Sequence, residues 1–161
     1  MNVVFLDVDG VLNAENSTGQ VWGSGTYMQY SAWIIDPVLV ERLNRISKEV
    51  NNLTIVLSSS WRYAEQSGHI DINNMLEEKG YVGPKIIERT ICDDENEEAI
   101  PSQPRGKEIQ RWLDEHPEVE NFVILDDDDD MAHLMPNLIQ TSFEDGGLLD
   151  KHVDEAIRRL Q

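Results

Sequence analysis

The fold of this chain is indicated by the stretch VVFLDVDGVLN, residues 3–13, where an apolar run ends in two aspartates and a glycine. Four consecutive apolar residues, 3–6, are typical of a buried strand. Asp7 and Asp9 then lie on the same side of the chain, because successive side chains of a strand alternate in direction. Two like charges this close need a cation or a shared proton to coexist. The stretch therefore predicts a metal site at a strand end, with Gly10 permitting a tight turn, although two solvated aspartates in an ordinary turn would look similar.

Hydroxyl groups follow a second apolar stretch, LTIVL at residues 53–57. Ser58 and Ser59 come directly after it, and hydroxyl and backbone N–H groups at the carboxyl end of a strand suit the oxygens of a phosphate group. Serines before a helix can instead serve only as its N-cap. A phosphate site is the functional interpretation of this stretch.

Five consecutive aspartates, Asp126 to Asp130, follow a third apolar stretch, FVIL at residues 122–125. Most runs of like charge are solvated loops. This run begins at the end of a predicted buried strand, where a few carboxylates together with water suit Mg²⁺. A calcium loop of the EF-hand type is the alternative, but its order of acids and its central glycine are absent.

Lys107 lies near the start of the fourth informative stretch, RGKEIQRWL at residues 105–113. Ile109, Trp112 and Leu113 have the spacing of one helix face, which predicts a helix that begins near Gly106. A lysine in the first turn opposes the helix dipole. Because exceptions to such local preferences often mark function, Lys107 is a candidate for binding an anionic group, with a solvated surface lysine as the alternative.

In this order, the four stretches resemble the motifs of haloacid dehalogenase (HAD) superfamily phosphatases. The chain looks in particular like the compact HAD domain of Swiss Army Knife RNA repair proteins and the phosphatase domain of polynucleotide kinase/phosphatases. The resemblance implies a Mg²⁺-dependent phosphomonoesterase in which Asp7 forms an aspartyl-phosphate and Asp9 is the general acid and base. It also implies that Ser58 and Lys107 bind the phosphoryl oxygens. The implied metal ligands are Asp7, the backbone carbonyl of Asp9, Asp126 and Asp127.

Apolar patterning predicts strands near residues 2–7, 53–58, 85–88, 121–125 and 137–140, and helices near residues 37–49, 63–79, 106–115 and 150–160. This alternation predicts an α/β fold with a mainly parallel sheet, which in the HAD family is a Rossmannoid three-layer sandwich. The 161 residues are enough for a single domain, 1–161. The inserts between the motifs leave room for no more than a minimal cap.

A nearly capless site favours a large substrate or the end of one, and the resemblance points to a phosphate terminus of RNA or DNA, of the 3′-phosphatase type. Trp22 lies in an insert rich in glycine and aromatic residues and is a candidate for stacking on a terminal base, with core packing as the alternative. Ser59 and Arg62 are further candidates for substrate binding, although Arg62 could equally pair with an acidic neighbour. The alternative substrates are a nucleotide or a small metabolite. The alternative of another class is a non-catalytic domain that binds metal and a protein partner.

The formal net charge is -18, and residues 91–161 hold 20 acids against 6 bases. No basic tract offers a footprint for nucleic acid, so tight non-specific binding to duplex is not expected. The single cysteine, Cys92, suits a reducing interior. The N-terminal apolar run is short and ends in acids, so neither a signal peptide nor a membrane span is predicted. The expected location is cytoplasmic, and an end-repair role would give the chain other repair enzymes as partners.

Overall fold

The computed structural model describes residues 1–17, 34–91 and 104–161. In these ranges the strands are β1 (Asn2–Leu6), β2 (Leu53–Leu57), β3 (Glu88–Arg89), β4 (Asn121–Asp126) and β5 (Leu138–Gln140). The α-helices are α1 (Pro37–Glu49), α2 (Trp61–Gln66), α3 (Ile72–Glu78), α4 (Arg105–Glu115) and α5 (Asp150–Leu160), and a 3-10 helix (Ala132–Asn137) precedes β5.

The five strands form one parallel sheet in the order β3-β2-β1-β4-β5. The predicted α/β architecture with a parallel sheet is therefore confirmed. β1 is the central strand, and each of its residues from Asn2 to Leu6 has a partner on β2 and another on β4. A central position explains why residues 3–6 form an uninterrupted apolar run, since a strand covered on both faces has no solvent side.

Alternating residues of β1 pack into two separate layers of core. Val4 and Leu6 lie in a cluster that includes apolar residues of α1, α3 and α5. Val3 and Phe5 face the other way, into a cluster with Ile109 and Trp112 of α4. Phe5 meets the Trp112 ring edge-on, with 5.3 Å between the ring centroids. Helices thus cover both faces of the sheet, and β1 is anchored from both sides.

Two predicted elements differ from the structure. The helix predicted at 63–79 is two helices, α2 and α3, because Gly68 has a φ of +78° and ends the first. Asp71 then caps the second by accepting a hydrogen bond from the Asn74 N–H at 3.0 Å. The strand predicted at 85–88 is the short β3 at the sheet edge. Within the described ranges, no helix has the length and apolar character needed to span a membrane.

Candidate active site

The carboxyl ends of the three central strands bring three predicted site residues together. Leu6 of β1 is aligned with Leu57 of β2 and with Leu125 of β4. The following residue in each strand is Asp7, Ser58 or Asp126. Hydrogen bonds continue the ladder to this level, because the Asp7 N–H donates to the Leu125 carbonyl at 2.9 Å and the Ser58 N–H to the Leu6 carbonyl at 2.8 Å. Their positions are therefore set by the sheet itself.

Three carboxylates form a cluster at this edge. Asp7, Asp126 and Asp127 each offer an oxygen, and these oxygens lie within 4.8 Å of one another. Asp7 and Asp126 are buried and Asp127 is half-buried. Gly10 has a φ of +75°, and a Cβ there would collide with the Asp127 carboxylate. Glycine at this position thus allows both the turn after β1 and the close approach of Asp127.

Burial raises the pKa values of all three carboxyls. The pKa of Asp7 rises to about 6 because the group is buried, and the nearby Arg105 opposes part of this rise. The pKa of Asp126 rises to about 8 through burial and the neighbouring charge of Asp7. Burial also raises the pKa of Asp127. A buried cluster of hard oxygen donors with too little positive charge fits a divalent cation such as Mg²⁺.

The cation beside this cluster is Arg105, the first residue of α4. Its Nη1 atom lies 3.7 Å from Asp7 Oδ1 and 3.8 Å from Asp126 Oδ2. The sequence prediction gave this place to Lys107, which is exposed and makes no ion pair with the described residues. Residues two positions apart on an α-helix are separated by about 200° around the helix axis, so the side chains of Arg105 and Lys107 face opposite ways. In the structure Arg105 lies beside the carboxylate cluster, and the predicted role of Lys107 stays a prediction.

The last aspartate of the acidic run holds the start of α4. Asp130 accepts a hydrogen bond from the Arg105 N–H through Oδ2 and from the Gly106 N–H through its carbonyl, both at 3.1 Å. Pro104, at the N-cap position, provides no side-chain cap, so Asp130 satisfies two N–H groups that the helix leaves free. A Cβ at Gly106 would overlap the backbone of Met131, which explains the glycine.

Within residues 1–17, 34–91 and 104–161, three buried polar atoms around Asp7 have no hydrogen-bond partner: Ser58 Oγ, Arg105 Nη1 and Asp126 Oδ2. Buried polar atoms are nearly always satisfied in folded proteins, so three exceptions around one carboxylate point to a ligand. Two of the three are able to donate and the third is an acceptor. This combination suits an anion with a cation beside it.

Ser59 and Asp9 complete the surroundings of Asp7. The Ser59 hydroxyl hydrogen-bonds to Asp7, which favours the charged form of that carboxyl. Asp9 is exposed, but its carboxylate is held at both oxygens, by Asn13 Nδ2 at 2.8 Å and by Trp61 Nε1 at 3.0 Å. The Asp9 carboxylate is not one of the three in the cluster, although its charge helps to raise the pKa of Asp127.

Arg62 pairs with an acidic neighbour, which is the second of the two alternatives that the sequence left open. Its Nη2 atom donates to both carboxylate oxygens of Glu108 at 3.0 and 2.9 Å, and its Nη1 atom donates to the Ser59 carbonyl at 3.1 Å. Both side chains are buried, with exposed fractions of 7% and 3%. A direct contact between Arg62 and substrate would require this pair to open. In the described conformation the pair joins α2 to α4.

Trp22 lies outside the described residues, as do Cys92 and nearly all of the acidic linker that follows it. The prediction that Trp22 stacks on a base therefore stays a prediction. Sequence reasoning missed the roles of Arg105, Asn13 and Asp130, and it left Trp61 without a specific partner. One signal was available for Arg105. It precedes Ile109 by four residues and Trp112 by seven, which places it on the buried face of α4.

Comparison with known proteins identifies the family. The family model for the HAD domain in Swiss Army Knife RNA repair proteins matches residues 3–153 of the sequence. The chain belongs to this HAD family. No curated protein and no solved structure gives a significant match. Membership supports a HAD-type phosphatase in general terms, and the carboxylate cluster at the sheet edge of this HAD domain agrees with the use of a metal in that family.

Proposed function

We propose that this HAD domain is a Mg²⁺-dependent phosphomonoesterase that forms an aspartyl-phosphate on Asp7 and acts on phosphate termini of nucleic acid, as a 3′-phosphatase. The observation that carries the proposal is the set of unpartnered atoms around Asp7. Ser58 Oγ and Arg105 Nη1 are buried donors that hydrogen-bond to no acceptor in the part of the chain that the structure describes, and the phosphoryl group of a substrate would supply oxygens to both. Donors held in place before the substrate arrives stabilise charge without reorganisation.

The first chemical step transfers the phosphoryl group to the protein. A carboxylate oxygen of Asp7 attacks phosphorus, and the bond between phosphorus and the leaving oxygen breaks. The proton that the leaving oxygen needs comes from Asp9, which lies two residues further along the same turn. The neighbouring Arg105 charge and the Ser59 hydroxyl both favour the ionised form of Asp7, which is the attacking form.

The second step returns Asp7 to its starting state. A water molecule gives a proton to Asp9 and attacks phosphorus, and the bond between phosphorus and the Asp7 oxygen breaks to release inorganic phosphate. Asp9 thereby regains the proton that it lost in the first step. One displacement is divided into two, each with an activated nucleophile.

The metal would be held by the carboxylates of Asp7, Asp126 and Asp127, with the backbone carbonyl of Asp9 as a further predicted ligand. When bound, Mg²⁺ would offset the negative charge of the phosphoryl oxygens and of the carboxylate cluster. Asp126 Oδ2 has no hydrogen-bond partner, as expected for an oxygen that awaits a cation.

The proposal of a terminal phosphate as substrate rests on family membership and on charge. With a net charge of -18 the protein has little attraction for a long phosphate backbone. Recognition of an end needs only the transferred phosphate and a few nearby contacts. A protein that neutralises few phosphates should show a shallow dependence of activity on salt concentration.

A panel of substrates tests this specificity. We expect a 3′-phosphorylated oligonucleotide to be turned over with a higher kcat/KM than a 5′-phosphorylated one, a free nucleoside monophosphate or a phosphopeptide, in Mg²⁺ and not in EDTA. Faster turnover of free nucleotides or sugar phosphates would replace end repair with metabolite hydrolysis. Binding of Mg²⁺ without turnover of any phosphate ester would favour a non-catalytic domain.

The nucleophile is tested by Asp7→Asn, with Asp129→Asn as the matched control. The amide keeps the shape of the side chain but cannot form the aspartyl-phosphate, so we expect less than a few per cent of the activity to remain. Asp129 is exposed, and its substitution should leave activity within about twofold. Activity of Asp7→Asn close to that of the control would assign the nucleophile elsewhere.

A further inference from the structure

Asp9 is held by two donors from different parts of the chain. Asn13 Nδ2 donates to Asp9 Oδ1 at 2.8 Å, and Trp61 Nε1 donates to Asp9 Oδ2 at 3.0 Å. Asn13 is itself fixed, because its Oδ1 accepts from the Gly10 N–H and its Nδ2 also donates to the Ile34 carbonyl, both at 3.0 Å. An exposed aspartate at a turn would otherwise exchange among several rotamers.

The Trp61 donor is held by the packing of its ring. Its side chain is 2% exposed and belongs to the core cluster on one face of the sheet. The indole N–H is able only to donate, so its direction is set by the packing of the ring. The contact thus fixes the orientation of the Asp9 carboxylate relative to the sheet.

The segment that contains Trp61 is also linked to Asp7, the proposed nucleophile. The Trp61 backbone N–H donates to Ser59 Oγ at 3.2 Å, and the Ser59 hydroxyl hydrogen-bonds to Asp7. One short segment, from Ser59 after β2 to Trp61 at the start of α2, is therefore linked to both aspartates of the first motif. Its hydroxyl reaches Asp7, and its indole reaches Asp9.

We infer that Trp61 is a positioning residue whose indole N–H holds Asp9 in the orientation for proton transfer to the leaving oxygen. The inference rests on the proposed role of Asp9 as general acid. Proton transfer requires the acid to lie within hydrogen-bond reach of the leaving oxygen in the transition state. Loss of the indole donor leaves Asp9 Oδ2 unheld and Asn13 as the remaining described donor to the carboxylate, so proton transfer should slow for leaving groups that need a proton.

The test compares Trp61→Phe with Trp112→Phe. Both substitutions replace a buried indole by a phenyl ring, but Trp112 Nε1 has no hydrogen-bond partner among the described residues, so its loss removes packing alone. The readout is kcat/KM for an alkyl phosphate and for an activated aryl phosphate. For each substrate, kcat/KM reports only on the steps up to and including phosphoryl transfer to the protein, and the aryl leaving group needs little protonation.

We expect Trp61→Phe to lower kcat/KM at least about tenfold for the alkyl phosphate and less than about threefold for the aryl phosphate. Trp112→Phe should change both values by the same small factor. An equal loss on both substrates in Trp61→Phe would overturn the inference, because it would be a packing effect.

Asp9→Asn separates this inference from the proposed function. If Asp9→Asn is selective against the alkyl phosphate and Trp61→Phe is not, the positioning role fails while the acid role stands. If Asp9→Asn lowers kcat/KM by the same factor for both substrates, Asp9 is not the general acid. The proposed mechanism then fails first, and the role of Trp61 fails with it.

A spectroscopic measurement covers the case in which Trp61→Phe does not fold. The chain has 4 tryptophans, so its nitrogen-15 spectrum contains one indole N–H signal for each. Asp9→Ala should move the signal of Trp61 upfield and leave that of Trp112 unchanged, since a hydrogen-bond acceptor is lost. The signals are assigned by elimination with phenylalanine substitutions at Trp22, Trp33 and Trp112. An unchanged Trp61 signal would overturn the contact on which the inference depends.

Discussion

Substitution of Arg105 is the sharpest test of which cation serves the site. Arg105→Ala removes the Nη1 atom that lies 3.7 Å from Asp7 Oδ1 and would donate to the phosphoryl group. At that distance two unit charges attract by about 4.5 kcal/mol if the effective dielectric constant is about 20. The side chain is 20% exposed and must lose hydration, so we retain about half of this value. A loss of about 2 to 3 kcal/mol corresponds to a fall in kcat/KM of roughly 100-fold.

The matched control is Lys107→Ala, two residues further along the same helix. Lys107 is exposed and makes no ion pair with the described residues, so its loss should change kcat/KM by less than about threefold. Arg105→Lys keeps the charge but shortens the reach, and its activity should fall between the two. The assay is hydrolysis of an aryl phosphate at saturating Mg²⁺, with circular dichroism to check the fold.

The pH dependence adds a second readout. Burial raises the pKa of Asp7 to about 6, and Arg105 opposes part of that rise. In Arg105→Ala the pKa of Asp7 should rise further, so the acid limb of the pH profile should move to higher pH. If Lys107→Ala is as damaging as Arg105→Ala, or if both are nearly harmless, the assignment of Arg105 is wrong.

Three further predictions follow from the carboxylate cluster. Asp126→Ala should raise the Mg²⁺ concentration needed for half-maximal activity at least about tenfold, and titration of the exposed Asp129→Ala should give the wild-type value; equal effects would reject the cluster as the metal site. The pKa values of Asp7 and Asp126 are raised on folding, so ionisation of these carboxyls destabilises the folded state. The Tm of the metal-free protein should therefore decrease as the pH rises from about 5 to about 8. Added Mg²⁺ should raise the Tm most near pH 8. A Tm gain from Mg²⁺ that is larger at pH 5 would contradict this sign. Gly10→Ala places a Cβ against Asp127 at a positive φ, so it should lower the unfolding free energy by about 1 to 3 kcal/mol and weaken Mg²⁺ binding, as measured by denaturant titration and calorimetry.

The arrangement of Asp7, Ser58 and Asp126 was predictable because the backbone determines it. Each follows an apolar strand, and adjacent parallel strands end at the same edge of a sheet. No side-chain packing had to be known. The grouping of Asp126 and Asp127 with Asp7 follows from the same geometry.

The sequence analysis did not select Arg105, the cation that lies beside the carboxylates in the structure, because the position of that cation depends on helix phase. The choice of Lys107 used its distance from the predicted start of α4, whereas the buried face is the one that contains Ile109 and Trp112. Arg105 lies on that face. Counting back from the apolar positions of the helix would have selected it.

The partners of Arg62 and Trp61 could not be read from the sequence. Arg62 pairs with Glu108, which is 46 residues away, and Trp61 with Asp9, which is 52 residues away. Such contacts depend on how α2 packs against α4 and against the turn after β1, which local patterning does not specify. A buried arginine has several possible acidic partners in a chain with 31 acids.

The hydrogen bonds from Asp130 to the start of α4 have a mechanical consequence. Asp130 connects the acidic run, residues 126–130, to the start of α4. Gly106 packs directly against the backbone of Met131, so there is no space for the run to move relative to the helix. A displacement of the run is therefore transmitted to Arg105 through the backbone. If the cation and the phosphate bind as proposed and this connection couples their sites, each ligand changes the binding of the other by the same factor. A substitution at Asp130, without touching either ligand, would alter that coupling.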